Sequence, residues 1–322
     1  MKLSTVATFP KDYFLENLAV RSDNSLLVTV LNRQELWYVP ASCDGQPVEP
    51  ELLFTFPQPA MGIVEVEPDV FHISVSDIYT WKESYLYRLD LNGWTPGKLV
   101  QPEPVLQCPQ SVRGLNGSCV IAPGLILLAD SWTGRIWRVD LHAADGKPAI
   151  SLWLEHDSMG HLAKLYYQRI RLPGINGIQY SSKLGYLYYT ASAKQLFMRV
   201  RVDPVSFNPV GDVEVVGGGR FDDFWIDEDA GCAYLASHSL NTIDRLALEP
   251  GENGTEILSV AGHPFNGELI GPSAGHWGRG REEYGRVAFL TTDGGTATPP
   301  PGGPRPAKVI KVESHAGSKQ GQ

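Results

Sequence analysis

The sequence predicts an all-β fold: a six-bladed β-propeller with four antiparallel strands per blade, its N-terminal strand closing the last blade. Three observations predict it. Short β-branched and aromatic runs fill the chain between Gly, Pro, Asn and Asp turns, and strong helical periodicity is nearly absent. One supersecondary sentence recurs, as LNGSCVIAPGLILLADSWTGRIWRVDL from Leu115, INGIQYSSKLGYLYYTASAKQLFMRVRVDP from Ile175 and FDDFWIDEDAGCAYLASHSLNTIDRLAL from Phe221. Units opening at Glu16, Glu65, Asn116, Asn176, Asp222 and Ser273 are spaced by roughly 50 residues, the period of a four-stranded blade.

In chain order, the first unit reads ENLAVR, LLVTVL, ELWYV and ELLFTF. The second reads GIVEVEPD, VFHISVSD, SYLYRLDL and a Pro-broken KLVQPEPVL. The third runs from Asn116 to ISLWLEH, the fourth from Asn176 to DVEVVGG, and the fifth from Asp222 to TEILSVAG. The sixth has only GPSAGHWG, GRVAFLTTDGG and AKVIKVES, whereas STVATF (Ser4 to Phe9) is spare. Placing that spare strand on the sixth unit removes two free sheet edges together, so residues 1–313 are expected to form one closed propeller. A pair of unrelated β-sandwiches would explain neither the spare strand nor the period. The terminal SHAGSKQGQ, residues 314–322, is expected to be a disordered tail.

Composition narrows the function. With 322 residues, 43% hydrophobic and 20% charged, the chain has ample material for a core. A net charge of −9 argues against nucleic acid or an anionic membrane as partner. No apolar run is long enough for a transmembrane helix, and the N-terminus lacks the apolar core and cleavage site of a signal peptide. The expected location is therefore cytoplasmic, with Cys43, Cys108, Cys119 and Cys232 as reduced thiols. Asn116-Gly-Ser and Asn253-Gly-Thr match the glycosylation pattern but carry no meaning without secretion. Oligomeric state is not legible.

Two stretches break the period. HDSMGHLAKLYYQRIRLPG precedes Asn176 and could form one short helix from His161 to Gln168. GGTATPPPGGPRPA, in the sixth unit, cannot join a sheet; its Pro299 to Pro306 segment is a solvated loop or a lid. In a propeller the start of the innermost strand and the end of the second strand share a face. Glu16, Asn116, Asn176 and Asp222 therefore lie beside Asp77, Asp130, Ser192, His238 and Asp293, under both insertions.

The motifs ENLAVRSDNSLLVT, EVEPDVF, LNGSCVIAPGLILLADSWTGRIWRVDL, INGIQYS, DDFWIDEDAGCAYLA and GPSAGHWGRG…FLTTDGG cover nearly the whole chain. Together they resemble the senescence-marker-protein/gluconolactonase-like six-bladed propellers, in particular the fungal branch. The resemblance implies a divalent cation, often calcium, held at the channel mouth by Glu16, Asn116, Asn176 and Asp222. Such an all-oxygen set suits calcium or magnesium. In family lactonases the metal polarises a lactone carbonyl while a carboxylate activates water. The alternative is that these residues only cap strand starts around a central water column.

The sequence departs from the lactonase pattern. Leu15 and Leu18 flank the Glu16-Asn17 pair where the family has Gly and Pro, and the sugar-binding Arg would be Arg113, displaced by one residue. Phe71, Trp132, Trp225 and Trp277, with Asn116 and Asn176, are expected to line a pocket for hydrophobic small molecules. The same aromatics could instead pack blade against blade. Such a pocket resembles the propeller-type hetero-Diels–Alderases of meroterpenoid pathways, which join a tropolone- or phenol-derived quinone methide to a humulene-type terpene. That inverse-electron-demand cycloaddition needs orientation rather than a cofactor. His238, His276 or Tyr180 would donate to the quinone-methide oxygen, and Asp222 would assist loss of water. The leading expectation is thus a pericyclase, the second a metal-dependent lactonase, and the third a non-enzymatic binding scaffold.

Overall fold

The computed structural model describes residues 1–314 apart from 78, 79, 81, 162–171, 250–254 and 266. The predicted helix from His161 to Gln168 lies, but for His161 itself, outside the described residues, as does all of the expected tail except Ser314. Among the described residues, the helical segments are single 3-10 turns, and no helix is long and apolar enough to cross a membrane.

The strands form six four-stranded antiparallel sheets. Blade 1 is β2 (Leu15–Val20), β3 (Leu26–Val30), β4 (Glu35–Val39) and β5 (Glu51–Thr55). Blade 2 is β6 (Ala60–Glu67), β7 (Val70–Val75), β8 (Tyr85–Asp90) and β9 (Glu103–Gln107). Blade 3 is β10 (Leu115–Ala122), β11 (Leu125–Asp130), β12 (Arg135–Asp140) and β13 (Ala149–Glu155). Blade 4 is β14 (Ile175–Ser181), β15 (Tyr186–Ala191), β16 (Leu196–Val202) and β17 (Pro209–Gly218). Blade 5 is β18 (Phe224–Asp227), β19 (Cys232–Ser237), β20 (Thr242–Ala247) and β21 (Ile257–Gly262). Blade 6 is β22 (Pro272–Trp277), β23 (Val287–Thr292), β24 (Pro306–Glu313) and, as its outer strand, β1 (Lys2–Lys11).

The spare first strand therefore closes the ring as predicted, pairing Lys2 with Glu313 and Lys11 with Pro306. It also faces blade 1. The fully buried Phe9 ring sits edge-on to Trp37 of β4, with centroids 5.3 Å apart. Apolar side chains alternate across the strands and fill the spaces between neighbouring blades.

The innermost strands share a backbone device that fixes what faces the channel. A register shift interrupts the pairing near the start of β2, β6, β10, β14 and β22. Such a bulge leaves an extra residue unpaired and re-aims side chains. Hydroxyls of the second strand latch it. Thr29 accepts from the Asn17 N–H and donates to the Met61 carbonyl of the next blade (2.8 Å). Thr190 does the same for Gly177 and Asp222, and Thr291 accepts from the Ala274 N–H.

The bulge also corrects the second unit. Ala60 pairs with Val75, so the residue matching Glu16 and Asn116 is Met61, not Glu65. Glu65 lies four residues further along, toward the opposite mouth. We expect Phe9→Ala to cost about 3–5 kcal/mol in a urea unfolding experiment, as for other buried Phe truncations. Leu99→Ala, at a side chain 99% exposed, should stay within about 0.5 kcal/mol of wild type.

Candidate functional site

The bulges carry Glu16, Asn116, Asn176 and Asp222 to one mouth of the channel, where the first three are buried and Asp222 is half-buried. Asn176 Nδ2 donates to Asp222 Oδ1 (2.5 Å) and to Ser192 Oγ (3.1 Å). Glu16 Oε2 and Asn116 Oδ1 are buried with no hydrogen-bond partner among the described residues. Burial, then the neighbouring Asp222 and Asp223 charges, push the Glu16 carboxyl well above its ordinary range. Burial likewise raises Asp222, against the pull of His238.

Among the described residues no three His, Cys, Asp or Glu side chains form a metal group. A cation here would therefore draw on the two amide oxygens as well as on Glu16 and Asp222. The orphaned oxygens of Glu16 and Asn116 fit that demand, because a buried lone pair without a donor is satisfied by a cation or by water.

Asp223, unremarked in the sequence, closes the channel below this floor. Its Oδ2 accepts from Asn17 Nδ2 (3.1 Å), which reaches over from blade 1, and its Oδ1 accepts from the Phe224 N–H (2.7 Å). Gly177 makes room for it: a Cβ there would lie 2.0 Å from Asp223 Oδ1. Burial raises the Asp223 carboxyl to about 7.

His238 stands over the same mouth, stacked on Phe14 at 5.7 Å with ring planes 10° apart. Its Nε2 is 3.2 Å from Asp293 Oδ2. Burial disfavours the imidazolium, but the Asp293 contact and the Asp222 charge outweigh it and raise the His238 pKa. Asp293 is held by the N–H groups of Gly295 (2.6 Å) and Ala297 (2.7 Å), so the Pro-rich loop is rooted on the partner of His238. Asp130 has a capping role instead, accepting from the N–H groups of Arg113, Trp132 and Thr133 and from Trp137 Nε1.

The aromatic residues divide three ways. Trp132 is half-buried at this mouth, its ring 5.4 Å from that of His161. Phe71 and Trp225 do not reach the pocket, because they point between blades: Phe71 is wholly buried between blades 1 and 2, and Trp225 stacks on Tyr234 at 5.6 Å. Tyr180, His276 and Trp277 sit late on the same innermost strands that begin at the first mouth. At about 3.3 Å per residue, the four positions from Asn176 to Tyr180 carry the latter to the opposite end of the channel. Burial, with the nearby Arg279, lowers the His276 pKa to about 4, so it cannot serve with His238.

Phe14, Asn17 and Asp223 are the members that sequence reasoning missed. One signal could have found the register: Thr29, Ser74, Thr190 and Thr291 all stand opposite the bulges, and aligning them would have placed Met61 in the ring.

No protein-family model and no curated protein sequence matches the chain at a significant level. Solved structures do match over nearly its whole length. A luciferin-regenerating enzyme covers 98% of this chain and 96% of its own at 12% identity, with a TM-score of 0.65. A calcium-binding protein, regucalcin, from Agrobacterium tumefaciens covers 96% and 94% at 14% identity, TM-score 0.61. The PQQ-bound aldose sugar dehydrogenase of Streptomyces coelicolor covers 97% and 98% at 14% identity, TM-score 0.61. Identities this low carry the propeller fold and nothing finer.

The Asp223 pKa has a consequence for stability. Unfolded, the carboxyl titrates near 3.8; folded and metal-free, it holds its proton to about 7. The folded state binds the extra proton between those values, so this contribution is full below about pH 4 and lost as pH rises through 7. Asp223→Asn should flatten that decline, measured as the wild-type minus variant difference in urea midpoint across the same range. A difference that grows with pH would contradict the assignment.

Proposed function

We propose that the chain is an enzyme acting on a small carbonyl compound, a lactone or related ester, held over the floor of Glu16, Asn116, Asn176 and Asp222. The observation that carries this reading is the crowding of the buried Glu16 with the half-buried Asp222 and Asp223, where Glu16 Oε2 and Asn116 Oδ1 have no hydrogen-bond partner among the described residues. Isolated buried carboxylates cost several kcal/mol each, so the cluster calls for a cation or for protons. An oxygen-only donor set favours calcium or magnesium, which would polarise the substrate carbonyl when bound.

The protein's own groups divide the remaining work. Glu16 and the amide oxygens of Asn116 and Asn176 set the floor. Asp222 has Oδ1 committed to Asn176, which leaves Oδ2 to take the proton from an attacking water. The water oxygen bonds to the carbonyl carbon, and the ring C–O bond breaks as His238 delivers its proton to the departing oxygen. Asp293 keeps that imidazole charged and oriented. The calcium-binding description of the regucalcin neighbour agrees with this reading.

A second reading, the hetero-Diels–Alder cycloaddition, is favoured by the apolar surface at the same mouth. Met61 takes a floor position, and Phe14 and Trp132 stand on the rim. There His238 would donate to a quinone-methide oxygen, and protons in place of a cation would satisfy the carboxyls. Its rim is thinner than the sequence suggested, since Phe71 and Trp225 lie in the core and Trp277 lies at the far mouth.

Calcium titration after chelation separates the two. On the hydrolytic reading, calcium at 100 times its Kd stabilises the protein by about 2.7 kcal/mol. Asn176→Ala should abolish both that gain and lactone turnover. If turnover survives chelation and Asn176→Ala, while Trp132→Ala or Phe14→Ala loses product stereocontrol, the cycloaddition reading replaces it.

A further inference from the structure

The opposite end of the channel holds a separate cavity of about 260 Å³. Its walls are the far halves of the innermost strands of blades 1, 2, 3, 4 and 6, and the Asn17–Asp223 bridge lies between it and the floor already described. The polar lining is Glu65, Ser118, Gln179, Tyr180, His276 and Arg279; Ile63, Val120 and Trp277 supply apolar surface.

Three features make this more than a solvated gap. Arg279 is paired with Glu65 and is held in place from behind, because Asn24 Oδ1 accepts its backbone N–H (2.7 Å) while Asn24 Nδ2 bonds Glu283 (2.6 Å). Gln179 spends Nε2 on the Phe224 carbonyl (2.6 Å), and Trp277 spends Nε1 on that of Ile226 (2.6 Å), so both side chains are fixed in orientation. The Ser118 hydroxyl is buried and has no hydrogen-bond partner among the described residues. A buried hydroxyl left without a partner costs about 1–3 kcal/mol. The fold gains nothing from that serine where it stands.

The charge balance selects the ligand. Glu65 and Arg279 cancel, and the buried His276 is a neutral imidazole at physiological pH. A charged ligand would have to break the ion pair, whereas hydroxyl groups can bond to its two outer edges without breaking it. Hydroxyl-bearing carbons would lie on the Trp277 ring. The volume is just below the roughly 300 Å³ at which drug-sized pockets begin, which limits the occupant to a small molecule. We infer that this second mouth is a binding site for a small neutral polyhydroxylated molecule, a monosaccharide or a cyclitol, independent of the reaction at the first mouth.

The test is calorimetric and NMR titration of the full chain with D-glucose and myo-inositol, with gluconate and glucosamine as charged comparators. Saturable binding of a neutral polyol is expected, with both charged comparators roughly tenfold weaker. Ser118→Ala should weaken binding severalfold while leaving the melting temperature unchanged or higher, because its hydroxyl supports nothing in the fold. Glu65→Gln should weaken binding roughly tenfold, and Asp222→Asn, at the other mouth, should leave it unchanged. The inference is overturned if no neutral polyol saturates the protein, if gluconate binds more tightly than glucose, or if Ser118→Ala and Glu65→Gln leave binding intact.

Discussion

The structure depends on how closely six innermost strands can approach one axis. At the bulges there is no room for a Cβ on three of them: one at Gly62 would sit 2.3 Å from the Asn116 carbonyl oxygen, and one at Gly117 would sit 2.6 Å from that of Asn176. The glycines let each strand lean on the next, and the threonine latches of the second strands hold the bulged backbone in that position. Everything at the first mouth follows from this contact. The residue before each of these glycines takes the channel-side position, Met61 in blade 2, Asn116 in blade 3 and Asn176 in blade 4, and Glu16 and Asp222 hold the same register in blades 1 and 5 ahead of Asn17 and Asp223.

The same tightness creates the electrostatic problem that defines the site. Closing the ring crowds Glu16, Asp222 and Asp223 together with little access to water, and His238 beside them is already engaged by Asp293. A fold under selection for stability alone would replace such carboxyls with apolar groups of similar volume. Met61 in blade 2 and Ser273 in blade 6 show that the position accepts other side chains. Retaining three acids is explained by what they hold, a cation or protons, and not by packing.

The fold was largely legible because periodicity and turn chemistry are backbone properties that repeat six times, and the unmatched first strand announced the closure. The four floor residues were legible for the same reason, except in blade 2. There the strand reads AMGIVEVE, and an acidic residue drew the eye to Glu65 although the Ser74 register points to Met61. What could not be read was direction along the channel. Tyr180 and His276 share innermost strands with Asn176 and Ser273, and only the three-dimensional path shows that a few residues of extended chain separate two mouths. Nor could sequence separate rim from core for aromatics. Trp225 and Trp277 are two residues of one cluster, yet one is wholly buried and the other borders a cavity.

The Asn17–Asp223 bridge gives the channel two ends of different character. Above it lie several carboxyls and His238, a surface whose protonation sets its charge. Below it lies a small cavity lined by an ion pair whose charges cancel and by neutral polar and apolar side chains. Because Asp223 also receives the Phe224 N–H and fills the space that Gly177 leaves open, the bridge cannot move without disturbing blades 1, 4 and 5 together. On the reading proposed above, a substrate at the first mouth would enter and leave on that side, past Phe14, Trp132 and the loop rooted on Asp293. On that reading the rim residues would set selectivity and the floor would supply the chemistry.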